Sequence, residues 1–204
     1  MQELFQSAPV ALVIFIFTLI TSFYGLYVNQ NLNQQFMLHP YSMARGKRIF
    51  TVLTSGLIHA DLGHLLFNML TYFFFAFQLE GIIGHWQFAL LYVAGLILSD
   101  IPTIMKHKNN PGYYSLGASG AISAVLFSFI LFLPKTKLFI FFIPIGIPAF
   151  IFGPLYLIYC VYASRNQYDR INHDAHFYGA LSGILLTVLL YPGVISHFIS
   201  QLVS

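Results

Sequence analysis

Charge is scarce in this sequence. Of 204 residues only nine are Lys or Arg and six are Asp or Glu, while 58% are hydrophobic. A soluble domain devotes roughly a quarter of its residues to charge, so that class is excluded and a membrane protein remains. Cysteine is almost missing as well. With Cys160 alone no intrachain disulfide can form, and cysteine usage says nothing about redox compartment. The few cations are spread over the loops with no clustered basic patch, which is weak evidence for a nucleic-acid surface, and none is expected. "MQELFQSAPV" at the N-terminus lacks a cationic n-region, and the apolar run behind it is too long for a signal peptide. A retained anchor helix is expected there. Internal repeats are lacking too, which counts against the inverted-repeat transporter plan. A chain of this length has room for one membrane domain, 1–204, with a long first loop at about 29–56 and a core at about 57–191.

What is present is a series of apolar segments. A helix crossing the hydrocarbon layer needs about 20 residues at 1.5 Å each. Six segments qualify, at roughly 8–28, 62–79, 87–99, 115–133, 138–163 and 175–191. The third extends to about Met105 if Asp100 is tolerated, and the second is expected to start near Leu57, with His59 and Asp61 in its first turn. Pro144, Pro148 and Pro154 predict a kinked or broken fifth span. A loop as long as 29–56 in a compact bundle is often functional. With the N-terminus inside, outer loops would hold Arg45, Lys47, Arg48, Lys106, Lys108, Arg165 and Arg170, and inner loops only Lys135 and Lys137. The positive-inside rule therefore puts the N-terminus outside.

Polar residues within spans are expensive and face the bundle interior or a water-filled cavity. Three clusters stand out: "HADLGHLLFN" (59–68), "GASG" (117–120) and "HDAHFYGALSG" (173–183). On a helix, Gly179 and Gly183 fall within about 60° of His176, a groove that lets another helix approach closely. Ser119 and Ser123 share a face of the fourth span, with Gly120 beside it. If the two faces meet, the His176 imidazole comes within reach of the Ser119 hydroxyl, which is the activated-nucleophile arrangement. His64 and Asn68, four apart, share a face of the second span. With the Ser119 backbone N–H they can hold a developing oxyanion, each such donor being worth roughly 10²–10³ in rate. His59 lies about 140° from His64 on an ideal wheel and should not share that role. Spacing alone also allows a plainer account, in which the glycines and serines pack helices and the histidines are satisfied interior groups.

A metal site is the sharper competitor. Eight histidines with Asp61, Asp100 and Asp174 offer ligands, and His173 and His176 are suitably spaced. There is no H-E-x-x-H, however, and His59 and His64, five apart, are poorly placed for one ion. No cofactor and no metal are expected. A Ser–Lys dyad is disfavoured because all five lysines lie in loops or at span ends.

Taken together these motifs resemble the rhomboid intramembrane serine proteases over most of the chain, from about Thr54 to Gly183. "TSGLIHADLGHLLFN" resembles the family's second-helix pattern, "LEGIIGHWQFALLYVAG" (79–95) its third, "GASG" its Gly-x-Ser-Gly nucleophile motif, and "AHFYGALSG" its sixth-helix histidine-plus-glycines motif. Any one is weak; all four in order on separate spans are strong. The resemblance implies an all-α bundle of six transmembrane helices, with Ser119 as nucleophile and His176 as general base. Ser119 N–H, His64 and Asn68 would form the oxyanion hole, and Gly117, Gly120, Gly179 and Gly183 would support helix packing. It further implies substrates that are themselves transmembrane proteins, taken from the lipid bilayer past the fifth and second helices. The membrane implied is a bacterial plasma membrane with the site on its outer side, in conflict with the charge count; oligomeric state is not indicated.

Asp174 falls about 200° from His176 and cannot act as a triad acid, so a dyad is expected, with Asp174 as a helix N-cap. Two positions depart from the family. Phe50 and Thr51 stand where a Trp-Arg pair often anchors the first loop. Ser123 stands where an aromatic ring often stacks on the catalytic imidazole, so that ring needs another support.

Overall fold

The computed structural model describes residues 6–139, 145–166 and 171–203. The chain forms an all-α membrane bundle. The long helices are α1 (Pro9–Phe23, continued by a π-helical turn at Tyr24–Val28), α5 (Leu62–Ile83), α6 (His85–His107), α7 (Ser119–Phe132), α8 (Ala149–Asn166) and α9 (His173–Leu190). Short helices α2 (Gln30–Phe36), α3 (Pro40–Met43) and α4 (Thr51–Thr54) lie in the first loop, and α10 (Val194–Val203) follows α9. An antiparallel strand pair, β1 (Lys137–Phe139) and β2 (Gly146–Pro148), precedes α8, with Leu138 opposite Ile147.

At the centre stands α7. Every residue from Gly120 to Leu131 is buried, because α5, α6, α8, α9 and α10 all pack on it. A helix apolar on all sides belongs inside, and two of its serines find partners there: Ser123 Oγ lies 3.1 Å from the Tyr156 hydroxyl, and Thr187 Oγ1 donates to Ser128 Oγ at 2.7 Å. The outer helices turn Phe17, Ile20, Leu66, Phe74, Ile158 and Leu189 outward, all largely exposed. In water such a surface would aggregate; against lipid it is the required one.

Buried Glu80 ties α1 to the bundle. Ala8, at the start of α1, has no side-chain cap; instead the Glu80 carboxylate accepts the Val10 and Ala11 N–H groups at 3.1 and 2.6 Å, and its Oε1 is 2.6 Å from His85 Nδ1. A carboxylate from a neighbouring helix thus satisfies orphan donors at the positive end of α1.

Several boundaries differ from expectation. The second helix does not start near Leu57. Asp61 caps it by accepting the His64 N–H at 2.8 Å, so α5 begins at Leu62 and leaves His59 in the preceding loop. It continues to Ile83 before Gly84 (φ +86°) turns the chain into α6, so Glu80 belongs to the second span rather than the third. Within the fifth span, Leu138 and Pro148 lie in the strand pair, only Pro154 is inside a helix, and Pro144 lies outside the described residues. Asn172, not Asp174, caps α9, its Oδ1 accepting the Ala175 N–H at 3.1 Å.

Among the described residues three helices are long and apolar enough to cross a membrane: α1 with its π turn, α5 and α6. A fourth counts if α9 and α10, bent by 105°, form one broken span. The count of six is therefore not reached on length and apolarity alone. α7 has only 14 residues, about 21 Å, and its enclosure by other helices relieves it of matching the lipid.

The first loop is held without a Trp-Arg pair. Arg48 Nη2 donates to the carbonyls of Gln34, Gln35 and Met37 at 2.6, 2.9 and 3.2 Å, closing the C-terminal end of α2 with a cation. Leu38 pairs with Ser115 in a two-way backbone bridge, and the His39 ring stacks on Tyr114 at 4.3 Å. The loop is thereby pinned to the segment that leads into Ser119.

Candidate active site

α7 begins abruptly. Gly117 adopts φ +115°, its N–H donates to the Ser55 carbonyl at 2.9 Å, and Ser119 is the first helical residue. First-turn N–H groups of a helix have no intrahelical acceptor and carry the positive end of its dipole. Ser119 therefore sits at an anion-friendly terminus, half-buried in the wall of a cavity of about 1420 Å³. His64, Asn68 and His176 line the same cavity.

His176 is brought there by backbone contact between α7 and α9. A Cβ built on Gly179 would lie 2.2 Å from the Gly120 carbonyl oxygen, and one on Gly183 would lie 2.3 Å from that of Ala124. Only hydrogens at 179 and 183 allow this approach. Gly120 is equally confined, since its Cβ would meet Ser99 Oγ of α6. Gly120 adjoins Ser119, and Gly179 is one turn from His176, so the tightest helix contact lies beside both side chains.

The His64 ring closes on Gly117, two residues before Ser119: a Cβ there would sit 2.6 Å from its Cε1 and 2.8 Å from its Nε2. His59, which the wheel placed well away, packs its ring on that of His64 at 4.9 Å and 76°. The wheel does not apply because His59 precedes the helix. Its Nδ1 is 2.9 Å from Ser22 Oγ of α1, so it supports His64 from behind. Burial, aided by the neighbouring His64, pushes the His59 imidazole down to about 3 from its ordinary 6.5, against a smaller upward pull from Asp61.

Two further groups escaped sequence reasoning. Tyr156 of α8 lies nearly parallel to the His176 ring, at 6.4 Å and 13°, and its hydroxyl is 3.1 Å from Ser123 Oγ. An aromatic ring thus flanks the imidazole after all, supplied by α8 and held by the serine that stands in the usual aromatic position. Nothing in the local pattern around Tyr156 distinguishes it from the other tyrosines of α8. Asn172 holds α9 at its cap while its Nδ2 donates to Thr103 Oγ1 of α6 at 3.0 Å and to Ser115 Oγ at 3.2 Å. An Asn one residue before a helix is itself a cap signal. Asp174 instead binds Lys106 Nζ at 2.6 Å, which engages it away from any triad role. Donor atoms of Cys160, His173 and His176 lie within 4.8 Å of one another.

Comparison with known proteins returns a family model, the Rhomboid domain, matching residues 46–193. The mitochondrial RHOMBOID-like protein 12 of Arabidopsis thaliana is 28% identical over 171 residues, 72% of this chain and 49% of that protein. YdcA of Bacillus subtilis, provisionally named a rhomboid protease, is 33% identical over 138 residues, 68% of this chain and 65% of that one. The human mitochondrial presenilin-associated rhomboid-like protein is 31% identical over 140 residues, 65% and 36% of the two chains. The chain thus spans about half to two-thirds of the length of the first two relatives and about a third of the last.

Proposed function

The chain belongs to the rhomboid family of multi-pass membrane proteins, and from that premise we propose that it is an intramembrane serine endopeptidase. It hydrolyses peptide bonds in or near the transmembrane segments of membrane-protein substrates. Ser119 Oγ attacks the scissile carbonyl carbon as His176 takes the hydroxyl proton. The new oxyanion is held by Ser119 N–H, His64 and Asn68. Collapse of the tetrahedral intermediate breaks the C–N bond, and His176 returns the proton to the leaving amine. Water then attacks the acyl-serine ester, with His176 as base again, and frees Ser119. The cavity beside these groups gives that water a route.

The observation that carries this reading is the backbone contact of Gly120 with Gly179, next to the serine and one turn from the histidine. Substrates enter from the bilayer past α8 and α5, and no cofactor or nucleic acid takes part. The site opens on the outer side of a bacterial plasma membrane. Of the basic residues in the loops assigned to that side, Lys106 pairs with Asp174, Arg48 closes α2, and Arg45 lies over the Tyr41 ring at 3.5 Å.

The test is cleavage of a single-span substrate by purified protein in liposomes. The parent is expected to cut with a chelator present, and Ser119→Ala and His176→Ala are not. Cleavage that persists in Ser119→Ala overturns the mechanism. A parent inactive on several substrates points to a member that binds membrane clients without cutting them.

A further inference from the structure

We propose that Cys160, His173 and His176 form a site for a zinc-like divalent ion, and that occupancy of this site switches the protease off. The inhibitory part rests on His176 being the general base; the binding site itself does not. The three donors come from two helices. His173 and His176 project three apart from the start of α9, their rings 5.7 Å apart at 79°, and Cys160 comes from the facing α8. Their ligand atoms lie within 4.8 Å of one another. In a tetrahedral zinc site with bonds of about 2.0–2.3 Å, donors stand roughly 3.3–3.8 Å apart, so modest side-chain rotation closes the set around an ion.

The donor chemistry is selective. One thiolate and two imidazoles suit zinc or cobalt and reject magnesium and calcium, which require oxygen. Cys160 and His173 are buried, while His173 and His176 line the cavity, which gives the ion an approach and leaves a fourth position for water. Neighbouring groups hold the donors in place. Tyr156, one turn before Cys160 on α8, has its hydroxyl 3.1 Å from Ser123 Oγ, and the Tyr159 ring meets His173 edge-on at 5.5 Å. Such outer contacts orient metal ligands.

Binding is a simple exchange. The ion accepts one lone pair from each imidazole and one from sulfur, and the thiol proton leaves through the cavity to solvent. The effect on catalysis does not depend on which His176 nitrogen is used. A neutral imidazole has one acceptor nitrogen and one N–H. Once metal holds the acceptor lone pair, the other nitrogen carries hydrogen and none remains to take the Ser119 proton. A free-metal signal would then silence the enzyme reversibly, without any change of fold.

The experiment uses the full chain purified in detergent, titrated with Co²⁺ and then Zn²⁺, beside Cys160→Ser and His173→Gln. The parent is expected to develop a thiolate-to-cobalt charge-transfer band with intense four-coordinate visible bands, discharged by zinc. Cys160→Ser should lose the charge-transfer band. Both variants should keep metal-free cleavage and need about tenfold or more zinc for half-inhibition. Absence of the bands in the parent, their persistence in Cys160→Ser, or equal zinc sensitivity of all three proteins overturns the site. Cobalt bands in a parent that cuts no substrate uphold the site and sink the protease reading instead.

Discussion

Replacing Gly179 with Ala adds one methyl group at the tightest point between the two helices that carry the proposed dyad. That methyl carbon would lie 2.2 Å from the Gly120 oxygen and 2.9 Å from its carbonyl carbon. Both are backbone atoms, so no side-chain rotation relieves the clash. Reaching an ordinary contact requires α9 to move from α7 by roughly 1 Å. Overpacking of this kind costs about 1–3 kcal/mol, which a bundle can survive. A 1 Å misplacement of a base from its nucleophile costs about 10²-fold in rate. The assay pairs cleavage of a liposome-embedded substrate with thermal unfolding of the same preparation. Gly183→Ala meets the Ala124 oxygen at 2.3 Å, one turn further from His176, so it should destabilise as much and slow cleavage less. Gly81, with nothing within 4 Å of an added Cβ, is the control: Ala there should stabilise α5 by about 0.4–1 kcal/mol and leave the rate alone. A folded Gly179→Ala protein that cuts within a factor of about 3 of the parent, under 1 kcal/mol of barrier, would refute the reasoning.

His59 predicts an acid-labile fold. Its native imidazole, at about 3, stays neutral where the unfolded one, at 6.5, takes a proton, so stability is full above pH 7 and falls as pH drops from 6.5 toward 3. The loss should be about 2 kcal/mol by pH 5, read from unfolding midpoints in detergent and absent in His59→Gln. Glu80→Ala strands the Val10 and Ala11 N–H groups, and unfolding titrations should show a loss of about 3 kcal/mol, with the first helix the earliest region to exchange its amides. Tyr156→Leu should lower kcat about tenfold with KM unchanged, since a ring contact is worth about 0.5–1.5 kcal/mol. Tyr156→Phe, which keeps the ring, should lose less; equal losses in the two variants would assign the effect to the hydroxyl.

Motifs on single helices were the legible part of the candidate site. His64 with Asn68, and His176 with Gly179 and Gly183, follow from helical spacing, and all five are where a helix puts them. The position of His59 relative to His64 does not follow from an ideal wheel, because the Asp61 side chain begins the helix after it by taking the His64 amide. Asn172 and Asp174 are both capping types within three positions, and the cap falls to the one that also reaches Thr103 and Ser115 across the bundle.

Composition and periodicity by themselves determined that this is a helical membrane protein with polar groups gathered on particular helix faces. Those properties are local: too few charges for a surface in water, and a 3.6-residue period that assigns side chains to sides. Tertiary structure alone decided what each face meets. The approach of α9 to α7 depends on hydrogens at two glycines facing two carbonyls of the other helix. The ring beside His176 comes from α8, held by Ser123, and the amides of α1 are closed by a carboxylate 70 residues away in sequence. Contacts between distant segments leave no periodic trace in either segment, because each side chain satisfies a partner that its own neighbours do not specify.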